Sequence, residues 1–147
     1  MNFKFLLLAS VLPFLAACWS PDTSTVPYAS LSRVQHVFVE RELVDGQGVD
    51  KFFVRELQRL GYDASSGAPT MCPDNADVIL SYEAEWEDDF TQYLIRLSVR
   101  VRDAHTDKPI AVGTFFRPSV TGHSVAYMVR GILAPIFKPK PARSSRS

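Results

Sequence analysis

Two runs, Val78-Ile79-Leu80-Ser81-Tyr82-Glu83-Ala84-Glu85-Trp86-Glu87 and Gln92-Tyr93-Leu94-Ile95-Arg96-Leu97-Ser98-Val99-Arg100-Val101-Arg102, are separated by Asp88-Asp89-Phe90-Thr91. In the first, Val78, Leu80, Tyr82, Ala84 and Trp86 alternate with Ile79 and then polar residues. In the second, Tyr93, Ile95, Leu97, Val99 and Val101 alternate with a mostly polar row. A period of two is that of a strand with one buried face, so the pair predicts an antiparallel hairpin. A turn centred on Asp89-Phe90 sets Trp86 against Tyr93, Ala84 against Ile95, Tyr82 against Leu97 and Leu80 against Val99. Glu83 then faces Arg96 on the outer side. A slip of one residue would oppose apolar and charged rows, so the pattern selects the register.

On the N-terminal side, Val37-Phe38-Val39 within 34–40 is a short strand. Val49, Phe52, Phe53, Leu57 and Leu60 fall on one helical face, and Gly61 stands where a glycine ends a helix. Residues 62–75 are loop-like. On the C-terminal side, Asp103 to Pro109 is a polar turn, and Ile110, Val112, Thr114 and Phe116 mark a third strand of the sheet. Ser124 caps a helix with Val125, Met128, Val129, Ile132 and Leu133 inward, stopped by Pro135. The predicted order is β-α-β-β-β-α: an α+β two-layer sandwich, mainly antiparallel, with two helices on one face.

The amino terminus has a different character. One positive charge (Lys4) precedes an apolar stretch from Phe5 to Leu15, which ends in Leu15-Ala16-Ala17-Cys18. This length suits a secretory signal and is too short to span a bilayer comfortably. The four residues match the lipobox, and the segment resembles those of bacterial lipoproteins. That resemblance implies cleavage before Cys18, a diacylglycerol thioether on its sulfur, and acylation of the new amine. Trp19 in place of an Asp implies the outer membrane, periplasmic face, with the inner membrane as the alternative. Residues 19–30 are rich in Pro, Ser and Thr, as a tether is. The expected divisions are a signal at 1–17, a lipidated tether at 18–30, one domain at 31–137 and a basic, disordered tail at 138–147.

With 147 residues, the chain has room for one domain. Of its 16 bases, Lys4 precedes the expected cut and Lys138, Lys140, Arg143 and Arg146 lie in the last ten residues. The 18–137 body is left with 11 bases against 16 acids, a net of −5. Phosphate contacts need clustered Lys and Arg, so nucleic acid is not an expected partner. With Cys18 acylated, Cys72 has no intramolecular partner and reads as a sheltered thiol.

The charged rows are the remaining candidates. Glu83, Glu85 and Glu87, continuing into Asp88 and Asp89, lie beside a row holding Arg96, Arg100 and Arg102. Paired carboxylates can perform acid–base work or bind sugars, but cross-strand ion pairs explain the same charges without chemistry. Trp86, with Tyr82 and Tyr93, forms either an aromatic platform or core. Asp103, His105 and Asp107 alternate as weak cation ligands do, although turn residues capping their own backbone account for them. Gly46-Gln47-Gly48 precedes a helix without the Lys-Ser/Thr of a phosphate loop. His36 and His123 have no ligand at metal spacing. No catalytic set, metal or cofactor is expected.

Ala76-Asp77-Val78-Ile79-Leu80, Trp86, the 93–103 strand, Gly113-Thr114-Phe115-Phe116-Arg117-Pro118-Ser119 and the last helix together give a broader likeness. The body resembles small uncharacterised lipoproteins of Gram-negative bacteria, and its layout is similar to the amino-terminal domain of the Tol system's periplasmic protein. That likeness bears on the fold and not on an activity. The lipobox, the tether, a small sheet-and-helix domain and the lack of a convergent catalytic set lead to the expectation of a non-enzymatic envelope module, anchored in the bilayer through Cys18, that binds a protein partner. The alternative is a small-ligand or cell-wall glycan binder using Trp86, Glu83, Glu85, Glu87, Arg96 and Arg100.

Overall fold

The long hairpin predicted by the alternation is present as β4 (Val78–Asp89) and β5 (Thr91–Asp103). The computed structural model describes residues 22–27 (backbone only), 31–117 and 124–141. Around the hairpin stand β1 (Asp22–Pro27), β2 (His36–Glu40), α1 (Val49–Arg59), β3 (Asp63–Gly67), β6 (Pro109–Phe116) and α2 (Val125–Leu133). The class is α+β, with one mixed sheet in the order β1-β6-β5-β4-β2-β3. β2 runs parallel to both β3 and β4, and the other pairings are antiparallel.

Two strands exceed the expected order. Residues 63–67, expected as loop, pair with β2, so that His36 lies beside Asp63 and Val37 beside Ala64. Residues 22–27, expected within a tether, pair with β6 from Asp22↔Phe116 to Pro27↔Ala111. Ser, Gly, Pro and Asp carry no strand signal of their own and outweigh the two Thr and one Val of 22–27; here the ladder of a neighbouring strand supplies the backbone partners.

The hairpin register also differs. Tyr82 lies opposite Val99, Leu80 opposite Val101 and Ala84 opposite Leu97. This is a two-residue displacement from the expected pairing, and it leaves every body residue on its predicted face. Nearer the tip, Glu85 pairs with Arg96 and Trp86 with Leu94, which leaves Ile95 as a bulge. One extra residue inverts the alternation beyond it. Leu94 is therefore buried, while Tyr93, predicted inward, lies opposite Glu87 on the outer side. The phase of β6 is reversed as well: Ala111, Gly113 and Phe115 are buried, while Val112, Thr114 and Phe116 are less so.

Both helices cover one face of the sheet. Phe53 and Leu57 of α1 and Met128, Val129, Ile132 and Leu133 of α2 are buried with Val39, Leu80, Leu97 and Phe115. Each such apolar side chain contributes about 1.5–3 kcal/mol of burial. α1 ends in a Schellman arrangement: Gly61 has φ 91°, its N–H donates to Gln58 (3.0 Å), and the Tyr62 N–H donates to Leu57 (3.0 Å). Ser124 Oγ caps α2 by accepting from the Tyr127 N–H at 3.3 Å. Among the described residues, the other face carries a small cluster of Phe38, Ala76 and Ile79, and no helix covers it along β4, β5 and β6.

The start of the tail is docked against the body. Lys140 N–H donates to Leu60 O at 2.8 Å, its ammonium donates to Val34 O, and it sits 4.7 Å from the Tyr62 ring centroid. Lys138 O accepts from the Tyr62 hydroxyl at 2.9 Å. Residues 142–147, with Arg143 and Arg146, lie outside the described residues, as do Cys18 and His123.

Candidate functional site

The uncovered face is a polar surface with a shallow cavity of about 290 Å³, lined by Ser81, Glu83, Ser98, Arg100, Val112 and Thr114. Its composition follows from the pleat: the odd residues of β4, the even ones of β5 from Arg96 on, and Val112, Thr114 and Phe116 of β6 point away from the helices. Glu85 and Arg96 face one another and form an ion pair at 2.6 Å, each about half exposed. The Arg96 guanidinium also lies 4.8 Å from the Phe116 ring centroid. Glu83 lies opposite Ser98 and Arg100 opposite Ser81, so neither has the cross-strand charge partner expected for it. Glu87 stands exposed beside Tyr93.

Of the six candidate binding residues, five share this face. Trp86 does not. It packs against the helix-covered core, so an aromatic platform combined with the acidic row is not formed. Arg102 leaves the row too: it pairs with Glu40 at 2.6 Å and Asp107 at 2.7 Å.

The turn candidates are occupied locally. The Asp103 carboxylate accepts from His105 N–H (2.9 Å) and Thr106 N–H (2.8 Å), which holds its pKa below the ordinary range. His36, for which no ligand at metal spacing was expected, meets Asp63 at 3.0 Å because β2 and β3 are neighbours. Gly48 has φ 68° and forms the entry to α1. Burial and the nearby Glu40 push the Cys72 thiol up, against nucleophilic use. Among the described residues, no group of three or more His, Cys, Asp and Glu is placed to hold a metal ion, and no helix is long and apolar enough to cross a membrane.

One network has no counterpart in the sequence pattern. Asp50, wholly buried in the first turn of α1, accepts from Arg41 Nε (3.1 Å) and Ser66 Oγ (2.7 Å). Asp45, just before the helix, accepts from the N–H groups of Gln47 (3.0 Å) and Val49 (2.7 Å) and from the Tyr82 hydroxyl. Burial, then the bond to Asp45, push the Tyr82 hydroxyl far above its ordinary pKa. The network locks loop 41–48 onto the hairpin. Its role is structural: Asp45 holds backbone N–H groups of the loop and of the first turn of α1 and joins them to β4.

No protein-family model and no curated protein matches the chain. Solved structures do. The fold is similar to that of PelC. A PelC dodecamer from Paraburkholderia phytofirmans carrying a single Leu-to-Met substitution aligns with a TM-score of 0.58 at 19% identity, over 80% of this chain and 98% of that one. A second PelC dodecamer from the same organism aligns with a TM-score of 0.58 at 15% identity, over the same shares. At such identities the likeness is one of fold alone.

Proposed function

We propose that this chain is a lipid-anchored lipoprotein of the periplasmic face of the outer membrane, a non-enzymatic module that works by binding protein. The observation that carries the reading is Leu15-Ala16-Ala17-Cys18 at the end of an apolar leader, with β1 beginning four residues later at Asp22. Acyl chains contribute about 0.8 kcal/mol per buried CH₂, so two or more on Cys18 hold the body stably. Support for a binding rather than catalytic role comes from the side chains themselves. Glu83, Glu85, Glu87, Arg96 and Arg100 stand together on the open face, whereas the Asp45 and Asp50 carboxylates are taken up by Tyr82, Ser66, Arg41 and the backbone at the entry to α1. PelC proteins of similar fold crystallise as dodecamers, which makes a second copy of this chain the first partner to test.

Intact mass of the mature protein, with and without Cys18→Ser, tests the anchor. The expected result is a diacylglycerol-modified chain beginning at Cys18, and a mature mass without lipid refutes it. Size analysis of the detergent-solubilised protein, together with tagged recovery from envelope extracts, tests the binding role. Repeated recovery of a monomer with no specific companion refutes it. A second reading, glycan or small-ligand binding, is favoured by the polar cavity over Ser81, Ser98, Arg100 and Thr114. A thermal shift with cell-wall fragments, lost in Arg100→Ala, supports that reading instead.

A further inference from the structure

Among the described residues, the three most exposed large apolar side chains lie toward one end of the sheet, while Met71 and Tyr127 are exposed elsewhere. Phe90, at the tip of the β4–β5 hairpin, is fully exposed, and Leu43 and Val44, in the loop between β2 and α1, are 94% and 87% exposed. That loop belongs to the hairpin end. Glu42 accepts from the Ala84 N–H (3.3 Å), and Gln47 donates to Gln92 (2.5 Å), two residues from the tip. Three large apolar side chains exposed toward one end of a sheet are candidates for a shared contact surface.

The strand registers show where this end points. Asp22 lies beside Phe116, Phe116 beside Arg96, and Arg96 beside Glu85, so these four form one row across the sheet. β1 runs away from the hairpin tip, so the chain before Asp22 leaves the sheet at the hairpin end. From Asp22 back to Cys18, the covalent reach is at most about 14 Å. From the same row, the hairpin continues through Trp86–Phe90, an overhang of roughly 16 Å at strand rise. The lipid attachment point therefore cannot lie farther from the row than the hairpin tip extends.

We propose that the β4–β5 hairpin is a second membrane contact: Phe90, together with Leu43 and Val44 of the loop at the same end, rests in the headgroup region of the bilayer into which Cys18 is anchored. The proposal rests on the lipoprotein reading. Interfacial aromatic and aliphatic side chains add to a lipid anchor by burying apolar surface at the headgroup boundary. Glu87, Asp88 and Asp89 ring the tip and stay in water above it. Their charge disfavours anionic lipid, so the surface recognised is a zwitterionic one. A short tether with a rigid foot fixes the orientation of the body and leaves the open face of β4, β5 and β6 standing roughly along the membrane normal, free for a partner.

The experiment uses the acylated full chain in phosphatidylcholine vesicles, in a Cys72→Ser background. Cysteines introduced as Phe90→Cys, Leu43→Cys or Lys108→Cys carry an environment-sensitive dye. Lys108 is exposed in the β5–β6 turn, at the far end of the sheet. The expected result is a blue shift and severalfold stronger quenching by headgroup-proximal doxyl lipid at positions 90 and 43 than at 108, weakened when phosphatidylglycerol is added. Intact mass is read first. A chain without lipid at Cys18 sinks the anchor and this proposal together. A lipidated, vesicle-bound chain with a fully aqueous dye at position 90 overturns the membrane foot alone. A dye that leaves water only when a second copy or an envelope protein is added also overturns it, and assigns the tip to a protein contact.

Discussion

The Tyr82 hydroxyl donates to the Asp45 carboxylate, joining the middle of β4 to the turn that opens α1. The same carboxylate receives the Val49 and Gln47 N–H groups, so one side chain serves as both helix cap and tertiary clamp. Replacing a capping Asp costs about 0.5–2 kcal/mol, and a hydrogen bond to a charged group is worth about 1.5–3 kcal/mol. Asp45→Ala is therefore expected to lose more stability than Tyr82→Phe. Urea unfolding of the two variants and the double variant checks this. Strict additivity would show that the two roles are independent.

Acid should loosen the fold. Burial pushes the Asp50 pKa up, but hydrogen bonds from Ser66 and Arg41 outweigh it and hold the group below its ordinary value. Asp77 behaves likewise through the N–H groups of His36 and Gln35. The hydrogen bond from Arg59 lowers Glu56 against a smaller effect of burial. A depressed carboxylate contributes stability that is present above the unfolded value, near pH 4, and lost as pH falls through the folded one. The expected urea midpoint is flat near neutrality and falls below about pH 4, less steeply in Asp50→Asn. A midpoint that rises on acidification would contradict the assignment.

Gly113 lies where α2 comes close to the sheet. A Cβ placed there meets Ile132 Cγ1 at 3.1 Å, Val99 Cγ2 at 3.3 Å and Ile136 Cδ1 at 3.5 Å. Gly113→Val adds three carbons to a filled space and is expected to cost about 1–3 kcal/mol or more, as overpacking does. Thermal unfolding reads the loss. Gly46→Ala, where a Cβ meets nothing within 4 Å, serves as the tolerated control.

Lys140 is expected to stabilise the domain despite its place in a basic tail. Its N–H closes on Leu60 and its ammonium lies over Tyr62. A chain ending at Phe137 should lose about 2–5 kcal/mol relative to one ending at Pro141, from three hydrogen bonds and a cation–π contact. Equal urea midpoints for the two truncations would remove the docked segment from the fold's energetics.

Much of this architecture is legible in residue order. The period of two in β4 and β5 and the helical spacing of Val49, Phe53 and Leu57 place the helices and the hairpin, because a single buried face imposes its own repeat. Gly61 and Ser124 set helix ends by local backbone chemistry. The acidic and basic rows were legible as rows, yet their pairing was not. The bulge at Ile95 and the two-residue displacement put Glu85, rather than Glu83, against Arg96. Trp86 went to the core because alternation, not aromatic character, governs its side.

What resisted reading is long-range. Asp63–Gly67 and Asp22–Pro27 become strands because β2 and β6 offer open ladders, and local composition carries no record of a partner's edge. Asp50 and Tyr82 look like ordinary helix and strand residues, and Lys140 looks like a solvated tail residue, until packing encloses them. Periodicity belongs to a segment and can be read from it alone. Register across a bulge, sheet order and the burial of an isolated charge belong to pairs of distant segments, so they exist only once the chain has closed on itself.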